Sequence, residues 1–126
     1  MALISAQALQ ADATHRIFDC RYDLRDTCAG ARAYADGHIP GAQYLHLSHD
    51  LSGEANGSNG RHPLPDPHVF ALRLGSLGLA PEMAVAVYDD AGGMFAARLW
   101  WMLRWVGHRG PVAVLDGGIQ AWTAAG

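Results

Sequence analysis

The chain has 126 residues, half of them apolar, with 9 basic against 12 acidic side chains for a formal net charge of −3. All nine basic residues are arginine, and the absence of lysine excludes a Walker-type phosphate loop, a Schiff-base enzyme and a receiver domain that sets a lysine beside its phosphorylated aspartate. No basic stripe exists to neutralise a phosphate backbone, so nucleic acid is not expected as a partner. This length predicts one domain over 1–126, with a core that stands without disulfides or a structural metal. Cys20 and Cys28, eight positions apart, fit neither a CxxC redox pair nor a zinc ribbon. No apolar run approaches membrane-spanning length, and MALISAQALQ lacks the basic start and long apolar core of a signal peptide. The expectation is a cytoplasmic protein with reduced thiols and no membrane contact.

In chain order, Ser5 is placed to cap a short helix that carries Ala8 and Leu9 and ends near Asp12. Arg16 to Asp19 reads as a short buried strand, Ala31 to Asp36 as a brief helix stopped by Gly37, and Gln43 to Leu47 as a second strand. Ser52 to Gly60 (SGEANGSNG) is a polar, Gly-rich stretch expected to be a mobile surface loop. Asp66 caps a helix with Pro67 at its first position, running through Phe70, Leu72 and Leu74 to Gly78. Ala84 to Tyr88 is a continuous apolar run, the mark of an inner strand covered on both faces. A helix is predicted from Phe95 to Val106, a strand from Pro111 to Leu115, and a last short helix bearing Trp122. Strands alternating with helices predict an α/β domain with a mainly parallel sheet and helices on both faces.

Two features point toward function. Of the twelve residues from Phe95 to Val106 only Arg98 and Arg104 are polar, with Trp100, Trp101 and Trp105 on different sides. A helix apolar all round is expected to be buried all round, either by its own domain or by a partner. The second feature is Tyr88-Asp89-Asp90-Ala91-Gly92-Gly93-Met94-Phe95, which joins a strand's carboxyl end to a helix N-terminus, where open α/β sheets collect anions. The strand-end position holds an aspartate, an anion suited to fill such a site itself. A phosphoaspartate hydrolase would need a second aspartate two residues on, where Ala91 stands. His46 and His49 form a possible metal pair without a third ligand at convincing spacing, and Gly75-Ser76-Leu77-Gly78 is not a nucleophile elbow. Cys20, directly after a strand, reads as a buried inert thiol; Cys28, near Arg25 and Arg32, reads as a surface thiol.

Four segments together resemble the N-terminal domain of the tandem rhodanese-type sulfurtransferases, which act on thiosulfate or 3-mercaptopyruvate. They are His38-Ile39-Pro40-Gly41-Ala42; Arg61-His62-Pro63-Leu64-Pro65; Val87-Tyr88-Asp89 with Ala96 to Arg104; and Val114 to Gly118 with Trp122. The resemblance implies that a second domain, absent from this chain, carries a loop cysteine that takes a sulfane sulfur as a persulfide and passes it to cyanide or a thiol. In the first domain an acidic residue replaces that cysteine. Asp90 matches the replacement, or Asp89 if the loop is one residue shorter in register, so this domain is expected to be catalytically inert and to need no cofactor or metal.

The same resemblance assigns Arg61, His62, Met94, Phe95, Arg98 and Asp50 to the wall of a cleft that binds a small sulfur donor between the domains. It assigns Trp100, Trp101 and Trp105 to contact with the second rhodanese domain. His46 and Ser48 stand where many members carry paired carboxylates. A stand-alone, non-catalytic rhodanese module for protein binding is the alternative; a rhodanese-like phosphatase would need a loop cysteine.

Overall fold

A computed structural model describes residues 2–60 and 62–126. The elements in chain order are β1 (Leu3–Ile4), α1 (Ala6–Ala11), β2 (Arg16–Asp19), α2 (Ala29–Asp36), β3 (Gln43–Tyr44), α3 (Pro67–Ser76), β4 (Val85–Tyr88), α4 (Met94–Trp105), β5 (Val112–Leu115) and α5 (Gly118–Ala125). The strands form one sheet in the order β1-β5-β4-β2-β3 with every neighbouring pair parallel.

Side-chain alternation divides the core in two. On one face Phe18, Val85, Val87, Val112 and Val114 meet Phe70 and Leu74 of α3 and Phe95, Leu99, Met102 and Leu103 of α4. On the other, Ile17, Ala86, Tyr88 and Leu115 meet Ala6 and Leu9 of α1 and Ile119 and Trp122 of α5. A strand covered on both faces has no polar side, which is why β4 reads as an unbroken apolar run and is buried throughout. From β2 the chain moves outward to edge strand β3 and then returns to β4 on β2's other side. The winding therefore reverses between β2 and β4, and a crevice opens beyond their carboxyl ends.

Local signals act as expected. The Ser5 hydroxyl accepts from Ala8 N–H at 3.1 Å, and the Asp66 carboxylate accepts from His68 and Val69 N–H at 2.8 and 3.3 Å, with Pro67 at the first position. Gly41 turns the 38–42 segment at φ +82°, burying Ile39 and Ala42.

One expectation is corrected, one strand is added and one helix is resolved into faces. β3 ends at Tyr44 rather than Leu47, because the chain turns at His46 into a tight turn over 47–50. β1, two residues long, pairs with β5 but is too short to leave a periodic signal. Of the two covers expected for α4, its own domain supplies only part. Phe95, Ala96, Leu99, Met102 and Leu103 face the sheet, whereas Met94, Trp101 and Trp105 are 57%, 47% and 37% exposed. Spacings of seven and eleven residues bring these three onto one stripe. Trp101 and Trp105 stack with centroids 5.9 Å apart, while Trp100 turns inward, its indole N–H donating to Val112 O at 3.0 Å. Among the described residues no helix is long and apolar enough to cross a membrane.

Candidate functional site

The segment after β4 closes on itself around one carboxylate. Asp89 is 1% exposed; its Oδ1 accepts from Ala91 and Gly93 N–H at 3.0 and 2.9 Å, and its Oδ2 from Phe95 and Ala96 N–H, both at 2.9 Å. The turn is possible because Gly92 and Gly93 take φ of +77° and +95°, a region costly for residues with a Cβ. Gly93, the N-cap of α4, has no side chain to offer, so Asp89 supplies the cap from four residues upstream and places its charge at the helix's positive end. Asp90, the other candidate, is exposed, and its backbone carbonyl accepts from Gln120 Nε2. The residue inside the ring of N–H groups is Asp89.

Beneath it lies a buried polar network that sequence reasoning missed. Asp19 ends β2 fully buried and receives Arg21 through Nε at 3.0 Å and Nη2 at 2.7 Å, and the Tyr88 hydroxyl at 2.7 Å. Arg21 also donates to Gly37 O at 2.6 Å, and Ile39 N–H donates to the Tyr88 hydroxyl at 3.2 Å. The 37–42 segment is thus pinned to the ends of β2 and β4. Opposite charges two residues apart at a strand end, followed downstream by a strand-end tyrosine, were the available signal.

The turn at 47–50 forms the next wall. His46 Nδ1 accepts from the N–H groups of Ser48 and His49 at 3.1 and 3.2 Å, which leaves the proton on Nε2 to be donated to Thr27 O at 2.8 Å. Both ring nitrogens are therefore spent on the backbone, and His46 is a cap rather than half of a metal pair. Asp50, assigned to the cleft, is drawn into support: its Oδ2 accepts from His46 N–H and its Oδ1 from Arg73 Nε at 3.0 Å. Tyr22 is buried here. Its hydroxyl lies 2.9 Å from Ser48 Oγ, and its ring meets His46, His62 and Phe95 edge-on.

The remaining cleft assignments fall around this cluster. His62 is half-buried with its ring against Tyr22, Phe95 is buried beneath, and Met94 stands exposed at the start of α4. Arg98 reaches the backbone of Leu51 and His62, and burial lowers its pKa. Arg61 lies outside the described residues.

Neither cysteine lies on the Asp89 loop. Cys28 is exposed at the start of α2, and its neighbour Arg32 is paired with Asp26. Cys20 is buried, its thiol pushed well above the ordinary value of 9.0 by burial and then by Asp19 and Asp89. Burial, and then Asp19, likewise lift the Tyr88 phenol well above its ordinary 10.0. Each group keeps its proton in the folded chain at a pH where the unfolded chain releases it. Stability is accordingly whole below these ordinary values and is lost as pH rises above them, at about 1.4 kcal/mol per pH unit for each group. No lysine titrates in that window. Urea unfolding midpoints should hold from pH 7 to about 8.5 and fall steeply above pH 9; a flat profile through pH 11 would contradict the burial of these protons.

Comparison with known proteins places this geometry. The rhodanese-like domain family matches residues 4–125. The probable 3-mercaptopyruvate sulfurtransferase of Pseudomonas aeruginosa is 48% identical over 128 residues, covering 98% of this chain and 45% of that protein. The putative thiosulfate sulfurtransferase SseB of Mycobacterium tuberculosis is 38% identical over 121 residues, covering 96% and 42%. Among solved structures, 3-mercaptopyruvate sulfurtransferase from Leishmania major superposes with a TM-score of 0.91 at 36% identity, over 99% of this chain and 34% of that one. The 3-mercaptopyruvate sulfotransferase SseA of Escherichia coli gives 0.81 at 32% identity, over 98% and 47%. The chain spans less than half the length of each of these relatives.

Proposed function

The chain belongs to the rhodanese-like domain family, and from that premise we propose that it is the N-terminal, catalytically inert domain of a sulfurtransferase acting on thiosulfate or 3-mercaptopyruvate. The observation that carries this reading is the Asp89 carboxylate, which occupies the ring of loop and helix N–H groups that would otherwise stabilise an anionic sulfur. A carboxylate there neither attacks sulfur nor leaves room for a thiolate. The nucleophile then belongs to a second rhodanese domain, in keeping with relatives more than twice the length of the matched stretch.

In that assembly the second domain's cysteine thiolate attacks the outer sulfur of thiosulfate. A sulfur–sulfur bond to the cysteine forms as the bond to sulfite breaks, and the resulting persulfide gives its outer sulfur to cyanide or a thiol. This chain supplies a wall of the cleft, with His62 and Met94 at the mouth. The exposed stripe of Met94, Trp101 and Trp105 runs along α4 from that mouth and is the surface the second domain covers.

The test is thiosulfate and cyanide given to the 126-residue chain, read by thiocyanate release and by mass spectrometry. The expected result is no turnover and no gain of a sulfur atom on Cys20 or Cys28. Turnover that disappears in Cys28→Ser would sink the inert-domain reading.

A further inference from the structure

We propose that Arg98 is a positioning residue, whose guanidinium closes the neck of the 53–62 loop and thereby fixes His62 at the mouth of the site. The proposal rests on the cleft reading above and assigns Arg98 a different role from donor contact. Its Nη2 donates to Leu51 O and to His62 O, both at 2.9 Å, with Pro63 O at 3.4 Å and Ser52 Oγ at 3.5 Å; its Nε reaches Leu51 O at 3.3 Å. One guanidinium on α4, through its Nη2, thus joins two stretches of chain that lie on either side of the loop. Between the stretches themselves runs one further link, Gly53 N–H to Pro63 O at 2.9 Å.

The neck is tight: a Cβ on Gly53 would stand 2.9 Å from Leu64 O. Beyond it the loop is tied internally. Asn56 N–H donates to Asn59 Oδ1, Ser58 to Asn56 Oδ1, and Asn59 Nδ2 to Glu54 O. A closed neck and an internally bonded tip are the marks of an Ω-loop. Its base, residues 52–55, also walls an open depression of about 410 Å³ beside Ser48 and His49.

Arginine suits this task for a physical reason. Among the described residues Arg98 has no carboxylate partner, so carbonyl and hydroxyl dipoles alone balance its half-buried charge. Such charge-assisted bonds are strong and directional, and a lysine ammonium ends one atom short of the place where Nη2 meets both stretches and has no Nε–H for Leu51 O.

The experiment compares wild type, Arg98→Lys and Gly53→Ala in the full chain by NMR. It reads exchange of the backbone amide at position 53, the pH titration of the His62 ring, and side-chain shifts during a thiosulfate titration. Arg98→Lys is expected to speed exchange at position 53 by about tenfold or more, the loss of one bond to a charged group, and to move the His62 midpoint. Gly53→Ala wedges the same neck with Arg98 intact and is expected to move the His62 midpoint in the same direction; it carries the test if Arg98→Lys does not fold. A His62 titration unmoved in both variants overturns the proposal, as does an Arg98 guanidinium signal that saturates with thiosulfate in the wild type. If thiosulfate leaves the His62 signals of the wild type unshifted while both variants move its midpoint, the donor reading fails and the clamp stands.

Discussion

Replacing Asp89 with alanine should destabilise the chain by about 4 kcal/mol at neutral pH, a large part of the ~5–15 kcal/mol that holds a typical domain together. The carboxylate accepts four backbone N–H groups, and two of them, on Phe95 and Ala96, are buried where water cannot replace it. An ordinary N-cap residue satisfies one or two such donors at a cost of about 1 kcal/mol when lost. Asp89 satisfies four and also sets a full charge against the helix dipole, so its loss is several times costlier. Asp89→Asn tests the chemistry at constant shape, since the amide nitrogen would face donors on one side of the ring; about half the alanine effect is expected. Urea titration decides it: both midpoints should fall in that order with the slope unchanged, and an alanine variant within about 1 kcal/mol of wild type would contradict the geometry.

What the sequence revealed and what it hid follow the range of the interactions concerned. The caps at Ser5 and Asp66-Pro67 and the buried run of β4 depend on neighbours a few residues away, and they are where the pattern put them. The alternation of strands and helices carried the parallel doubly covered sheet, because parallel neighbours need crossover connections that helices supply. The faces of α4 were not legible: an apolar composition all round does not say which third of the surface is left outside, and that depends on where α3 and the sheet lie. Leu72, read as part of an apolar helix pattern, is 75% exposed for the same reason. That the Asp89 carboxylate and not that of Asp90 meets the N–H groups turns on one residue of register in a glycine loop, which spacing alone does not fix. His46, His49 and Asp50 looked like site chemistry because their types suit it. Their partners, the N–H groups of a turn and Arg73 from α3, are set by tertiary packing.

The second large effect is expected at Arg21, in the buried network with Asp19 and Tyr88. Arg21→Met should cost about 3–5 kcal/mol, because it leaves the fully buried Asp19 carboxylate with the Tyr88 hydroxyl and one backbone N–H in place of a bidentate cation. Burial opposes the charge on Arg21, and the hydrogen bond and charge of Asp19 more than offset it, so its pKa is raised. The cost is therefore that of an orphaned anion and not the net worth of the pair, and the two readings separate in a double-mutant cycle. Asp19→Asn in the Arg21→Met background removes the stranded charge while keeping an acceptor for Tyr88, and it should recover about 1–2 kcal/mol. If the network only added bonds one by one, the second substitution would destabilise further. The same cycle reports on the 37–42 segment, which loses the Arg21 bond to Gly37 O in both variants but keeps the Ile39 bond to Tyr88. Exchange at the Ile39 amide should therefore quicken in Arg21→Met and slow again in the double variant in step with the stability recovered, because its bond to the Tyr88 hydroxyl is kept in both.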